Sequence, residues 1–464
     1  MPLEQPMMTR HPLLILSLLL LALLAVACAV PTVSPSPSQA APTEFSTPTG
    51  TPATTPTPMG APASCPSFDS SMQASFSAVE RQVSELRGLS PLTVPAYDWL
   101  FREDIEERVQ ADFLSDYSEE DAFADQQMLL ALGLIDDRFD LLDFYLAFYS
   151  EQLAGYYDPG SGSIVLVCSD EMGGPERVTY VREYTHALLD QHYDLTDGLN
   201  YSPSACKNDP DRCAALEALI EGDTVLLQSQ WLRTYAAQED VTELDNFLAG
   251  FSSPVFDQAP PFLQEDLLFP YFEGQSFVHA LYLDGGWAAV DAIYANPPVS
   301  TEQILHPERY PHDERVLINP PQLLSILGDG WTQPVDTILG EFLLRTVLAS
   351  QLPESDAVSV AEGWGGDHFS VFLHEPSDSW AAVLISQWDT VADAHEFYFG
   401  LRDYATGRFD EPSRSETGLT QWAQDDIQVE IRLLSNQVLF ILAPDTSTLI
   451  ALDGALPLPL SSQP

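Results

Sequence analysis

The stretch "VREYTHALLDQHYDL", Val181 to Leu195, sets carboxylate, imidazole and guanidinium groups at helical spacing. In a helix of the form H-E-x-x-H, two histidines one turn apart hold a single zinc ion, and the glutamate beside the first activates metal-bound water for hydrolysis. Glu183 stands at the general-base position and His186 at the second ligand position. Arg182 stands where the first ligand would be. A guanidinium has no free lone pair, so it cannot coordinate a cation.

Two positions offer a third ligand. His192 follows His186 by six residues, but on a continuous helix it would point roughly 240° away at about 100° per residue. Glu221, in the helical segment "ALIEGD", is the better placed donor, and His192 is read as structural.

These groups need elements to hold them. Apolar residues recur at three- and four-residue spacing in "FDSSMQASFSAVERQVSELRGL", "EEDAFADQQMLLALGLI" and "LLDFYLAFYSEQLAG", which predicts helices. "YYDPGSGSIVLV" reads as a turn on Asp158, Pro159, Gly160 and Gly162 followed by an edge strand. A helix from Pro175 to about Leu195 carries the motif, Pro being favoured in a first turn. "RCAALEALIEGDTVLLQSQWL" is a second helix, and helices continue through "LFPYFEGQSFVHALYLDGGWAAVDAIYA" to a Pro-rich loop, "NPPVSTEQILHPERYP". Beyond about residue 345 the period shortens. "FSVFLHE", "WAAVLISQWD" and "IQVEIRLLSNQVLFILAP" read as strands, the last a hairpin around Ser435 and Asn436, in a β-β-α-β-β-α order that suggests a small antiparallel α+β domain.

The stretches "EQLAGYYDPGSGSIVLV", "REYTHALLDQHYDL", "ALIEGD", "FVHALYLDGGWAAVDAIY", "PPVSTEQILHPERY", "EGWGGDHFSVF" and "QWDTVADAHEF" together resemble a family of bacterial secreted or lipid-anchored proteins with a gluzincin-type metallopeptidase domain. The resemblance spans about residues 120 to 450. It implies a zincin-like fold with zinc held by two helix histidines and the E-G-D glutamate. Carried over by position, His186 and Glu221 remain as ligands and Glu183 as base, with Arg182 a departure. Two ligands are fewer than the three that catalytic zinc sites use. The expected arrangement is an Arg182–Glu221 ion pair in place of zinc, holding the helices together without metal. The alternative is a residual site that recruits Asp190, one turn after His186, or Asp223.

Composition sets the surroundings. The 464 residues suffice for two or three domains, and a hydrophobic fraction of 45% suits a globular core. With 69 acidic against 18 basic residues the net charge is −51, and Lys207 is the only lysine. Such a surface repels phosphates and argues against nucleic acid as a partner; it favours cationic peptides or divalent ions nearby, or else simply keeps an exported, salt-exposed protein soluble. Arg10 and His11 precede the apolar run "PLLILSLLLLALLAVA", a signal-peptide core ending at Cys28, and "LLAVAC" resembles a lipobox with Ala25 in place of its usual leucine. Lipidation of Cys28 would anchor the chain to the outer face of a bacterial membrane.

Of the remaining cysteines, Cys206 and Cys213 in "CKNDPDRC" would close a short loop and leave Cys65 for Cys168. The expected organisation is a signal segment at 1–28, a Pro/Ser/Thr-rich stalk at 29–66, a mainly helical zincin-like domain with a short edge hairpin at 67–345, and a small α+β domain at 346–464.

Other residues carry weaker signals. Tyr156 and Tyr157 precede the strand that pairs with peptide in zincin-like folds, or else pack at a helix–strand junction. His306, in a Pro-flanked loop, is a candidate transition-state donor or a histidine that fixes the loop. His279 reads as a core residue within an apolar helix. The functional expectation is a surface-anchored protein of metallopeptidase type with impaired zinc chemistry, or a scaffold that keeps the cleft for extended peptides.

Overall fold

The computed structural model describes residue 65 and residues 70–456, apart from 153, 170, 171, 314 and 425. The signal segment, Cys28 and the stalk lie outside the described residues, Cys65 excepted. Among the described residues, no helix is long and apolar enough to cross a membrane.

Helix α1 (Ser70–Arg87) buries Met72, Phe76, Val79 and Val83, the three- and four-residue spacing that lays one stripe of a helix on a core. Strand β1 (Ala96–Leu100) follows, then α2 (Arg102–Asp116), α3 (Glu119–Ala131) and α4 (Leu141–Gln152). The predicted hairpin forms β2 (Gly155–Asp158) and β3 (Ser163–Val167), antiparallel, with Tyr157 opposite Ile164. β1 joins β3 in parallel, so the sheet runs β1-β3-β2 with β2 at an edge. Periodicity gives no sign of β1, because none of its five residues is fully buried.

Helix α5 (Gly174–Tyr193) begins with Pro175 in its first turn and ends at Asp194 in the left-handed region (φ 50°). Every residue from Val178 to Leu189 is buried. After the short α6 (Pro203–Asn208), α7 (Pro210–Thr234) is buried at every position from Ala218 to Ser229. Helices enclosed on all faces leave their polar side chains no water, so those groups must pair with one another.

Next come α8 (Gln238–Gly250), α9 (Pro254–Asp257), α10 (Pro261–Ala295), α11 (Thr301–Leu305) and α12 (Leu323–Leu327). α10 breaks at Gly285 and Gly286, the second at φ 64°, ψ −160°, a conformation open essentially to glycine alone. α7 and α10 cross backbone to backbone. A Cβ on Gly222 would stand 2.1 Å from the Gly274 carbonyl oxygen, and one on Gly274 would stand 2.1 Å from that of Ala218.

The remaining chain builds β4 (Trp331–Thr337), α13 (Gly340–Ala349), α14 (Glu354–Ala361), β5 (Trp364–His374), β6 (Ser379–Trp388), α15 (Val391–Phe409), β7 (Arg414–Glu416), β8 (Leu419–Ala423), β9 (Gln428–Leu434), β10 (Gln437–Ala443) and α16 (Thr446–Ala455). The sheet is antiparallel throughout, ordered β4-β5-β6-β10-β9-β8-β7. The hairpin at Ser435 is as expected, with Ser435 at φ 59°. β4 and the β7–β8 hairpin are additions. Because β4 pairs with β5, the expected boundary at 346 falls within α13 rather than between the two units. The chain is thus α+β, with a helical N-terminal part and a seven-stranded C-terminal sheet.

The two parts share a core. Ala131 and Leu132 pack with the residues between β5, α15 and β10, Tyr404 donates to the Leu132 carbonyl at 2.7 Å, and Arg408 donates to the Ala131 carbonyl at 2.7 Å. Disulfides join Cys65 to Cys168 and Cys206 to Cys213, the pairing expected from the sequence. They suit an oxidising, extracytoplasmic setting.

Gly222→Ala or Gly274→Ala must push α7 and α10 apart, and each is expected to cost about 2–3 kcal/mol by overpacking. A denaturant titration that shows a midpoint equal to wild type for both variants would contradict the close crossing.

Candidate functional site

The enclosed segments of α5 and α7 bring Arg182, Glu183, His186 and Glu221 together. Arg182 Nη2 donates to Glu221 Oε1 at 2.8 Å, and both side chains are 3% exposed. Arg182 Nη1 lies 3.4 Å from Glu183 Oε1, and Nη2 lies 3.3 Å from the Tyr271 hydroxyl. The guanidinium carbon sits 5.6 Å from the centre of the Tyr271 ring. Burial opposes the charge on Arg182, but Glu221, with Tyr271 and Glu183, outweighs it and holds the guanidinium above its ordinary value. The expected ion pair is present.

His186 Nε2 approaches Glu221 Oε1 at 3.5 Å. Burial, offset in part by Glu221 and reinforced by Arg182, pushes this imidazole down to about 4, so it is neutral at pH 7. His186 Nε2 and Glu221 Oε2 are buried and make no hydrogen bond among the described residues. Glu183 Oε2 accepts the backbone N–H of Tyr157 at 2.9 Å. The general-base position therefore faces the edge strand β2.

These residues do not fit zinc. Two ligands of one tetrahedral ion at about 2.0–2.1 Å stand roughly 3.3–3.4 Å apart, close to the 3.5 Å between His186 Nε2 and Glu221 Oε1. That spacing survives, but the third donor is replaced by a fixed cation hydrogen-bonded to one of the two survivors. A dication beside a guanidinium meets repulsion instead of a ligand.

Asp190 and Asp223 turn elsewhere. Asp190 accepts from the Tyr157 hydroxyl at 2.7 Å and the Leu195 N–H at 3.2 Å. Asp223, two residues past Glu221 and so on another face of α7, takes a bidentate pair from Arg87, at 2.9 Å on each oxygen, and the Tyr294 hydroxyl at 3.0 Å. Arg87 also reaches Asp291 at 2.6 Å and lies over Trp287 at 4.4 Å, which fastens α1, α7 and α10 together. His192 Nε2 donates to the Ser90 carbonyl, 2.8 Å away, as a structural residue.

His306 sits at the end of α11 with Nε2 2.8 Å from Glu341 Oε1 of α13, and this hydrogen bond raises its pKa. Its partners are thus in the seam between the two parts rather than at Glu183. Tyr156 and Tyr157 are packed, at 1% and 5% exposure. His279 is exposed, not core, because Phe277 and Val278 take the inward face of α10 at that turn.

Tyr271, Glu217, Tyr201 and Asp266 were not singled out by the sequence. Glu217 precedes Glu221 by one turn of α7 and so shares its face, a signal legible in "ALEALIEGD". Burial, with Glu221 and Asp266 nearby, pushes Glu217 up to about 8.

Among the described residues, the donors close enough to share an ion in a group of three are Glu302, Asp313 and Asp389, within 4.8 Å of one another. Arg309 already occupies that space, with Nη1 2.5 Å from Glu302, 3.2 Å from Asp389 and 3.7 Å from Asp313.

Residues 329–453, which include the second sheet, match a family model described as Domain of unknown function (DUF8575). No curated protein and no solved structure matches the chain.

Two outcomes follow from this geometry. Arg182→Met or Glu221→Gln leaves a buried partner uncompensated and is expected to cost about 3–5 kcal/mol, while the double variant loses less than the sum; a denaturation double-mutant cycle with additive losses would contradict the pair. Glu217 has its folded pKa raised, so its contribution to stability is present below the unfolded value of 4.5 and is lost as pH rises through about 8. Glu217→Gln is therefore expected to melt above wild type at pH 9 and near it at pH 5, which thermal scans at the two pH values will check.

Proposed function

We propose that this chain is an extracytoplasmic, lipid-anchored protein that retains a zincin-like cleft and binds extended peptides there without zinc-dependent hydrolysis. The observation that carries the reading is the 2.8 Å hydrogen bond from Arg182 to Glu221, inside a cluster that keeps His186 within 3.5 Å of Glu221. The guanidinium supplies one positive charge where the resembling family has a zinc ion, and it balances Glu221, to which it donates, while offering no Lewis acidity. The engagement of Glu183 with Tyr157 N–H supports the same reading, because a base held by a strand backbone is not free to work on water.

Peptide binding is supported by β2. It lies at the edge of the first sheet, where an extended partner would add through main-chain hydrogen bonds at positions other than Tyr157, whose N–H Glu183 holds. Anchoring is supported by the lipobox-like "LLAVAC" ahead of the stalk, and export by the two disulfides.

Elemental analysis of the purified protein tests the metal-free site. Zinc is expected only in trace amounts, and near-stoichiometric zinc would overturn the reading. Arg182→His restores a third donor beside His186 and Glu221 and is expected to raise bound zinc towards one ion per chain.

A further inference from the structure

Where β1 and β3 end, a cavity of about 160 Å³ lies beside the first turns of α5. Trp99 of β1, Phe76 of α1 and Phe247 of α8 are its aromatic walls, joined by Pro175 of α5. Phe76 and Trp99 meet edge to face with ring centres 6.2 Å apart, and Phe247 is 36% exposed, so the cavity opens to solvent at α8. An apolar space of about 150 Å³ takes up one benzene, which makes this one a seat for a single small ring. Arg102 and Glu176 on its wall carry opposite charges. Arg102 is held by Glu106 at 3.2 Å and by the carbonyls of Ser150 and Glu151 at 3.1 Å each, so the cavity suits a neutral occupant.

The disulfide between Cys65 and Cys168 brings a neutral, ring-bearing segment to this space. Cys168 stands between Val167 and Ser169, which both line the cavity, and its N–H donates to the Leu100 carbonyl at 2.8 Å, one residue from Trp99. Cys65 is held there with its Cα 5.8 Å from that of Cys168. The end of the stalk, residues 51–64, "TPATTPTPMGAPAS", is therefore tethered at the rim, and it has four prolines and no charged side chain. At about 3.1 Å per residue, Pro62 falls within about 9 Å of Cys65. A Pro-rich chain is already extended and loses little entropy on docking, and grooves walled by aromatic rings recognise such chains. The short tether holds the segment at an effective concentration on the order of 1 mM, so a modest contact suffices and a separate molecule must compete with it.

We infer that the stalk folds back on the helical part of its own chain, with the Pro62 ring seated among Trp99, Phe76 and Phe247. Docked in this way, the last residues of a flexible tether become a fixed elbow, and the direction in which the stalk leaves the folded part is set. The inference stands apart from the metal-free site and from peptide binding at β2, since none of Arg182, Glu183, His186 or Glu221 lines the cavity.

Limited proteolysis of the purified full chain with proteinase K, read by mass spectrometry, tests the docking. A protease must enclose several residues on each side of the bond it cuts, so a seated Pro62 shields the Met59–Gly60 bond but not Phe45–Ser46 farther up the stalk. Each rate is taken relative to the same bond in a synthetic peptide of residues 40–64 with the same substitution, which removes intrinsic susceptibility. Met59–Gly60 is expected to be cut about tenfold more slowly in the chain than in the peptide, as for a segment free about a tenth of the time. Phe247→Ser and Pro62→Ser are each expected to abolish that protection, while Phe272→Ser, at an exposed aromatic residue of α10, leaves it intact. Equal rates in chain and peptide, or protection that survives both variants, would overturn the inference. Protection lost with Phe247→Ser alone would give the cavity to another occupant, and protection lost with Pro62→Ser alone would put the stalk on another surface; either overturns it. Circular dichroism checks the folding of Phe247→Ser, and Pro62→Ser probes the docking without altering the cavity.

Discussion

The buried pair between Arg182 and Glu221 is the contact on which the N-terminal part depends. Two helices with no solvent-facing side cross here, and each brings charge into the crossing. An isolated carboxylate in such a place is intolerable, and an isolated guanidinium equally so. The pair resolves both, and the neighbouring Glu183, His186 and Tyr271 arrange themselves around it. A neutral imidazole fits beside a satisfied ion pair better than an imidazolium would, which is the sense of the low pKa at His186.

The same logic recurs along α7. Glu221 and Asp223 face different sides of one helix, and each meets an arginine: Arg182 from α5 and Arg87 from α1. The glycine between them is what lets α10 lie close enough to supply Tyr271 to one side and Tyr294 to the other. The tripeptide Glu221-Gly222-Asp223 is thus a three-way junction in which two acids bind two arginines and the missing side chain sets the helix spacing. Nothing in this junction requires a metal to hold it, because the arginines supply the positive charge.

The sequence was informative wherever a residue's partner lay within its own periodic element. The extents of α5 and α7, the β2–β3 hairpin, the β9–β10 turn at Ser435 and both disulfides were legible, since local spacing and cysteine count constrain them. The Arg182–Glu221 pair was legible too, because the motif spacing named both partners. The strand β1 was not, since five residues of intermediate burial carry no periodic signal and gain their structure from pairing with β3. His279 was misread for a related reason, whereas the loop-fixing reading of His306 fits its hydrogen bond to Glu341. A histidine's surroundings depend on helix rotation and on chain that arrives much later, as Glu341 does for His306.

The hydrogen bonds from Tyr404 and Arg408 to the carbonyls of Leu132 and Ala131 reach beyond the arrangement of the core. The stretch that matches the uncharacterised family begins at residue 329, yet its helix α15 finishes its hydrogen bonding on a turn that lies far ahead of it in the chain. A shuffled copy of that stretch, joined to some other partner, would inherit donors with no acceptors and a hydrophobic face lacking Ala131 and Leu132. Inheritance of the two parts as a unit is therefore favoured over their exchange, and the helical part acts as a fitted lid for the sheet as well as the housing of the arginine site.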